Sequence, residues 1–242
     1  MKRIIMTRLY LNEALHAKKE LTLNTEHSHY LGRVLRYQIN DTVSVFNEKD
    51  GEWQSQVTEI TKKVVIIQVQ QQLRIPAPPL PLWLAFAPLK NDAMGFLIEK
   101  ATELGATHLQ PILTERCNTQ RLNLDRLQKN AIEASQQCER LDIPTVKNPS
   151  ELVKFLKDLP KEVEWFVALE RADAASIQKI LETKDKQQPW GFIIGPEGGF
   201  TETEARLFKT HNITPVNLGP RILRAETAAL SVLAIAQSLR EC

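Results

Sequence analysis

The stretch Trp190-Gly191-Phe192-Ile193-Ile194-Gly195-Pro196-Glu197-Gly198-Gly199-Phe200 decides the fold. Its first five residues carry no charge and read as a strand buried on both faces, and the glycine-rich hexapeptide after them reads as a loop leading into a helix. A second unit of the same design lies downstream, where Pro215-Val216-Asn217-Leu218 runs into Gly219-Pro220-Arg221-Ile222-Leu223-Arg224-Ala225-Glu226-Thr227-Ala228. In an open α/β sheet, ligands bind where strands end and helices begin, because main-chain N–H and C=O groups there lack ladder partners. Two such loops from neighbouring strands can wrap one small molecule. The glycines at 195, 198, 199 and 219 permit positive φ and close approach of a ligand to the main chain.

The region before these loops alternates strand and helix. Strands are expected at Leu82–Ala87, His108–Leu113 and Val163–Leu169, and helices over about 92–104, 124–140 and 174–181, with another after Ser150. Met94, Leu97, Ile98, Ala101 and Leu104 share one helical face, and Gly105 is placed to end that helix. Alternation of this kind predicts a mostly parallel sheet covered on both faces. Thr201-Glu202-Thr203-Glu204 is a capping box, so the helix after the first loop has its end donors engaged and is a poor phosphate site. The last helix, expected over Ala228–Leu239, is apolar almost all round, which predicts burial within its own domain or against another copy.

Residues 1–73 read differently. Runs such as Thr42–Phe46 and Val64–Val69, with a turn at Asp50-Gly51, predict a β-rich domain. Ile75-Pro76-Ala77-Pro78-Pro79-Leu80-Pro81 then forms a stiff linker, because proline gives the ladder no donor. The boundary is expected at 73/74, with a second domain over 74–242.

Basic and acidic residues nearly balance across the 242 residues, 31 against 29, so an anionic partner must be held by local patches. Residues 1–75 carry 11 Lys/Arg against 8 Asp/Glu, which points to the first domain as the landing place of a polyanion. Cys117, Cys138 and Cys242 are odd in number and far apart, predicting reduced thiols in a soluble cytosolic protein. The amino-terminal segment and the apolar stretch from Ala228 to Leu239 are too short or too interrupted for a signal core or a membrane span. The five histidines show no metal spacing, and no metal is expected. Neither a Gly-x-Gly-x-x-Gly fingerprint nor a Gly-Lys-Ser/Thr phosphate loop is present. The hexapeptide 195–200 could also be a plain tight turn, and Arg221, Arg224 and Glu226 an internal ion pair beside a threonine cap.

Five stretches together carry a resemblance: His29-Tyr30-Leu31-Gly32-Arg33-Val34-Leu35-Arg36, Glu99–Gly105, Glu133–Arg140, Gly195–Phe200 and Leu218–Ala228. Through them the whole chain resembles the RsmE-type 16S ribosomal RNA uridine-N3 methyltransferases of the SPOUT superfamily. In the third, a small residue usually precedes the arginine, where this chain has Glu139. The resemblance implies a small PUA-like RNA-binding β-barrel and an α/β domain whose carboxyl end is threaded into a trefoil knot. It implies S-adenosylmethionine as cofactor, a homodimer in the cytoplasm, and a role in rRNA processing and ribosome biogenesis. The implied partner is 16S rRNA in the assembled small subunit, with no DNA and no membrane.

Carried over by motif, the cofactor pocket would use Leu169, Gly195, Pro196, Glu197, Gly198, Leu218, Gly219, Ile222, Leu223, Thr227 and Ala228. Arg224, Glu226 and Glu197 are the catalytic candidates. Methylating uridine N3 requires loss of its proton or stabilisation of the uracil anion, tasks that suit a guanidinium and a carboxylate. N3 lies on the Watson–Crick edge, so the base must be unpaired and out of its stack. Arg8, His29, Arg33 and Arg36 are the candidates for RNA contact, against the alternative that they are ordinary surface or turn residues. Two other functions stay open: ribose 2′-O-methylation of RNA by a related knotted enzyme, and a non-catalytic RNA-binding or ribosome-assembly factor.

Overall fold

The computed structural model describes residues 6–117, 121–169 and 174–240. The chain divides into two compact units. One comprises residues up to Pro78 together with Ser135–Ile143, and the other Pro79–Ala134 with the residues from Pro144 onward. The division follows the proline linker and adds to the first unit a short segment that the expected 73/74 boundary did not assign to it.

The first unit is built on β1 (Arg8–Tyr10), β2 (Glu20–Thr22), α1 (Thr25–His29), β3 (Thr42–Asn47), β4 (Gly51–Ile60) and β5 (Val65–Arg74). Its sheet runs β1-β3-β4-β5-β2, parallel between β1 and β3 and antiparallel elsewhere. Asp50-Gly51 closes the β3–β4 hairpin as expected, with Gly51 at φ 78°. Register shifts along β4–β5 bend the sheet around a core that includes Leu9, Leu31, Val43, Val45, Val57 and Ile67. The expected barrel is thus a curled five-stranded sheet whose ladder, among the described residues, does not close. Its helical content was not expected. Asn24 caps α1 by accepting from His27 N at 2.8 Å, and the chain continues through a π-helical turn, Tyr30–Val34.

The second unit contains β6 (Leu82–Phe86), α2 (Asn91–Glu103), β7 (His108–Leu113), α3 (Leu124–Gln137), whose last three residues belong to the first unit, β8 (Thr145–Val146) and β9 (Ser150–Glu151). It continues with α4 (Leu152–Lys157), β10 (Glu164–Ala168), α5 (Ile177–Glu182), β11 (Trp190–Ile194), α6 (Glu202–Thr210), β12 (Thr214–Val216) and α7 (Ala225–Arg240). The strands follow the order β12-β10-β11-β6-β7-β8, with β9 also on β7, and every pairing is parallel. All five positions of β11 are buried, as an uncharged run in the middle of a doubly covered sheet requires. Trp165, Val167 and Ile193 pack on one face with α4 and α6, while Phe166 and Phe192 stack at 5.5 Å on the other. Gly191 is glycine because a β-carbon there would lie 2.4 Å from the Trp165 ring.

Helix ends match their local signals. Gly105 N donates to Thr102 O and Ala106 N to Ala101 O, a Schellman ending of α2 with Gly105 at φ 84°. The capping box at Thr201 is formed in both directions. α7 begins at Ala225, three residues earlier than expected, and buries Ala228, Ala229, Val232, Leu233 and Ala236. After β12 at the sheet edge the chain returns to the middle, where α7 meets α2, α5 and β11. That return is the course expected of a threaded carboxyl end. No helix among the described residues is long and apolar enough to cross a membrane.

Candidate cofactor site

Three neighbouring strands, β12, β10 and β11, end side by side, and their carboxyl ends form a cavity of about 640 Å³. Its walls are Ala168 at the end of β10 and Leu169 after it, Ile194 at the end of β11 and the loop to Phe200, and Val216 at the end of β12 and the loop to Leu223, closed by Ala225 and Ala228 of α7. This is where an open parallel sheet binds its ligands, and the volume suits a nucleoside-sized molecule.

The two loops are shaped by local chemistry. Gly199 N donates to Pro196 O at 2.8 Å, a tight turn that Gly199 leaves at φ 66°. Gly219, at φ 115°, is held by the Asn217 side chain, which accepts its N–H at 2.7 Å. Asn217 in turn exchanges main-chain hydrogen bonds with Ala175 and Ile177, tying the second loop to the start of α5. The N–H groups of Leu218, Ile222 and Leu223 donate to no acceptor among the described residues, so they are free for a ligand. Leu218, Leu223 and Ala228 supply apolar wall, and Ile222, 64% exposed, stands at the lip. An adenosine-sized group with polar edges and apolar faces fits this set.

Of the four loop glycines, Gly199 and Gly219 use positive φ, while Gly195 and Gly198 do not. A β-carbon at Gly195 would lie 2.8 Å from the Phe200 ring, so that glycine serves packing within the loop.

Residues 76–237 match the RNA methyltransferase domain family and residues 23–70 the RNA methyltransferase PUA domain family. Ribosomal RNA small subunit methyltransferase E of Rickettsia conorii is 34% identical over 229 residues, which cover 94% of this chain and 93% of that protein. The chain belongs to the ribosomal RNA small subunit methyltransferase E family. Among solved structures, the Neisseria gonorrhoeae member of the family bound to S-adenosyl methionine is 29% identical with a TM-score of 0.88, covering 97% of this chain and 98% of that one. Lpg2936 of Legionella pneumophila, in complex with the bound cofactor SAM, is 30% identical with a TM-score of 0.87, over 96% and 97%.

Against this membership, ten of the eleven residues expected to hold the cofactor line the cavity: Leu169, Gly195, Pro196, Glu197, Gly198, Leu218, Gly219, Ile222, Leu223 and Ala228. Thr227 does not line it; it is exposed in the first turn of α7, where its carbonyl accepts from Ser231 Oγ at 2.7 Å. Of the catalytic candidates, Glu197 lines the cavity, while Arg224 and Glu226 flank the lining residue Ala225 without lining the cavity themselves. The alternative of an internal ion pair is not realised, since Arg221, Arg224 and Glu226 take part in no salt bridge among the described residues. Arg221, one of the polar residues clustered in the second loop, also lines the cavity, as does Arg116, which was not expected there. Arg116 reaches Gly198 O at 2.7 Å from 82 residues away, which no local pattern announces.

The expected RNA contacts separate into two groups. Arg8 is a correction. Its Nε donates to Glu52 at 2.7 Å, Nη1 to the carbonyls of Ser135 and Gln136, and Nη2 to that of Arg140, while the guanidinium covers the Phe46 ring at 4.3 Å. With its side chain 7% exposed and every nitrogen engaged, Arg8 is a core residue of the first unit. His29, Arg33 and Arg36 are exposed on α1, the π-helical turn and the residues after it. Ser28 and Leu31 point inward, Ser28 donating to Leu23 O and accepting from Val65 N, and this fixes which face looks out. Among the described residues no three His, Cys, Asp or Glu side chains are grouped to hold a metal.

Proposed function

We propose that this chain transfers a methyl group from S-adenosylmethionine to N3 of a uridine in 16S rRNA of the small ribosomal subunit, acting in the cytoplasm as a homodimer. The observation that carries the reading is the cavity at the ends of β10, β11 and β12, lined by ten of the residues expected to grip the cofactor. Membership of the methyltransferase E family and the cofactor-bound relatives support it.

Bound there, S-adenosylmethionine supplies an electrophilic methyl group on sulfonium. The free main-chain N–H groups of Leu218, Ile222 and Leu223 would hold its adenine, and Leu218, Leu223 and Ala228 would supply apolar wall against the ring. The chain's remaining task is to align an extruded uracil and raise the nucleophilicity of N3. Arg224, exposed and without a salt bridge among the described residues, stabilises the uracil anion, and Glu197 or Glu226 orients the base or accepts its proton. His29, Arg33 and Arg36 hold RNA phosphates. The outward face of α7, with Leu230, Ala234, Ile235 and Leu239 partly exposed, and Phe96 of α2, 46% exposed, is the surface for the second copy.

The test is methylation of small subunits from a strain lacking the activity, followed by digestion to nucleosides and mass spectrometry. 3-Methyluridine is the expected product. A ribose-methylated nucleoside, or no methyl transfer, contradicts the reading.

A further inference from the structure

The loop Gly195–Phe200 has three glycines in six residues, so ordering it is entropically expensive, and a ligand that had to order it would bind weakly. In the structure it is held from outside by one buried carboxylate and one guanidinium. Glu204, 4% exposed, accepts Thr201 N at 2.8 Å on one oxygen and Glu115 N at 2.9 Å on the other. The first contact closes the cap of α6 directly behind the loop; the second grips the turn that leaves β7. The next residue in that turn, Arg116, donates Nη1 to Gly198 O at 2.7 Å and lays its Cβ–Cδ stem against the Gly198 Cα, where a β-carbon would meet it at 3.4 Å.

We infer that Glu204 and Arg116 form a two-point brace that holds the glycine loop in its cofactor-binding shape, and that Arg116 is a positioning residue for the cofactor. This rests on the cofactor reading given above. Each half of the brace depends on the other. Glu204 fixes the main chain from which Arg116 reaches, and Arg116 carries the constraint to the middle of the loop, six residues before Glu204. The carboxylate is needed for its two acceptors, because an amide at 204 has only one and would turn its NH2 toward an N–H.

The experiment measures S-adenosylmethionine Kd by calorimetry, kcat and KM for the cofactor on small subunits, and Tm, for the full chain and its variants. Arg116→Ala is expected to raise Kd about tenfold, the scale of one lost hydrogen bond from a charged donor, with kcat at saturating cofactor within about twofold and little change in Tm. Arg116→Lys, which keeps one donor for Gly198 O, recovers most of the loss. Glu204→Gln raises Kd in the same direction, and combining it with Arg116→Ala adds little further, as for two parts of one device. Arg206→Ala on α6, which removes only an exposed pair with Glu202, leaves Kd unchanged.

An Arg116→Ala protein with unaltered Kd overturns the brace, as does one that loses kcat at unaltered Kd or one that Arg116→Lys fails to rescue. If Glu204→Gln does not fold, the two Arg116 variants decide the matter alone. If the unaltered chain binds no S-adenosylmethionine, the cofactor reading falls, and the brace with it; if it binds and Arg116→Ala binds equally, only the brace falls.

Discussion

Glu52 and Arg8 meet at 2.7 Å in the interior of the amino-terminal unit, both side chains 7% exposed. The same carboxylate accepts Ser44 Oγ and Arg74 Nε, each at 2.5 Å, so one buried acid collects three donors from β1, β3 and β5. Removing Arg8 takes away the buried cation of that cluster, leaving Glu52 with Ser44 and the more exposed Arg74, and deprives the carbonyls of Ser135, Gln136 and Arg140 of their donor. Arg8→Ala is expected to cost about 3 kcal/mol in urea unfolding, while Arg33→Ala, at an exposed position, leaves the midpoint nearly unchanged.

The same cluster sets an acid limit. Burial pushes the Glu52 carboxyl up, but the hydrogen bonds from Ser44, Arg8 and Arg74 outweigh it and hold it below the ordinary carboxylate range. A depressed folded-state pKa stabilises the fold above the unfolded value of about 4.3 and loses that contribution as pH falls through the folded value. Stability measured between pH 6 and 3 should therefore fall less steeply in Glu52→Gln than in the unaltered chain. Parallel curves would show that Glu52 contributes nothing to the acid limb.

Gly191 and Trp165 offer a packing test. A methyl group at 191 would stand 2.4 Å from the indole, which Phe155 and Trp83 already enclose edge-on at 5.3 and 5.9 Å. Gly191→Ala is expected to destabilise by about 2 kcal/mol through overpacking, seen as a lowered unfolding midpoint.

For RNA, the exposed cations should act through salt-dependent phosphate contact. Arg33→Ala and Arg36→Asn, the latter chosen because position 36 has φ 57°, should each weaken binding to the small subunit and reduce the slope of log K against log salt by about one. An unchanged slope would remove these residues from the interface.

Legibility in the sequence followed the range of the interaction. The uncharged run Trp190–Ile194, the Asp50-Gly51 turn, the Gly105 stop and the Thr201–Glu204 box each decide their structure within a few residues, and each formed as read. The π-helical turn at Tyr30–Val34 was missed because β-like composition surrounds it. Arg8 looked like a surface cation because its acceptors lie 44 to 132 residues away, and Arg116 looked like nothing because its acceptor lies 82 away. The capping box marks a helix start by local pattern alone, whereas one oxygen of its carboxylate serves the β7 turn. Thr227 came with its motif, but it lies on the exposed side of the first turn of α7, whose buried Ala225 and Ala228 line the cavity instead.

The most direct test of the cavity as the cofactor site uses Gly219, whose φ of 115° no β-branched residue adopts readily although a side chain there would meet open space. Calorimetric titration with S-adenosylmethionine should give one site per chain for the unaltered protein and no measurable binding for Gly219→Val at an unchanged Tm. Equal binding by both proteins, or none by either, would contradict the account.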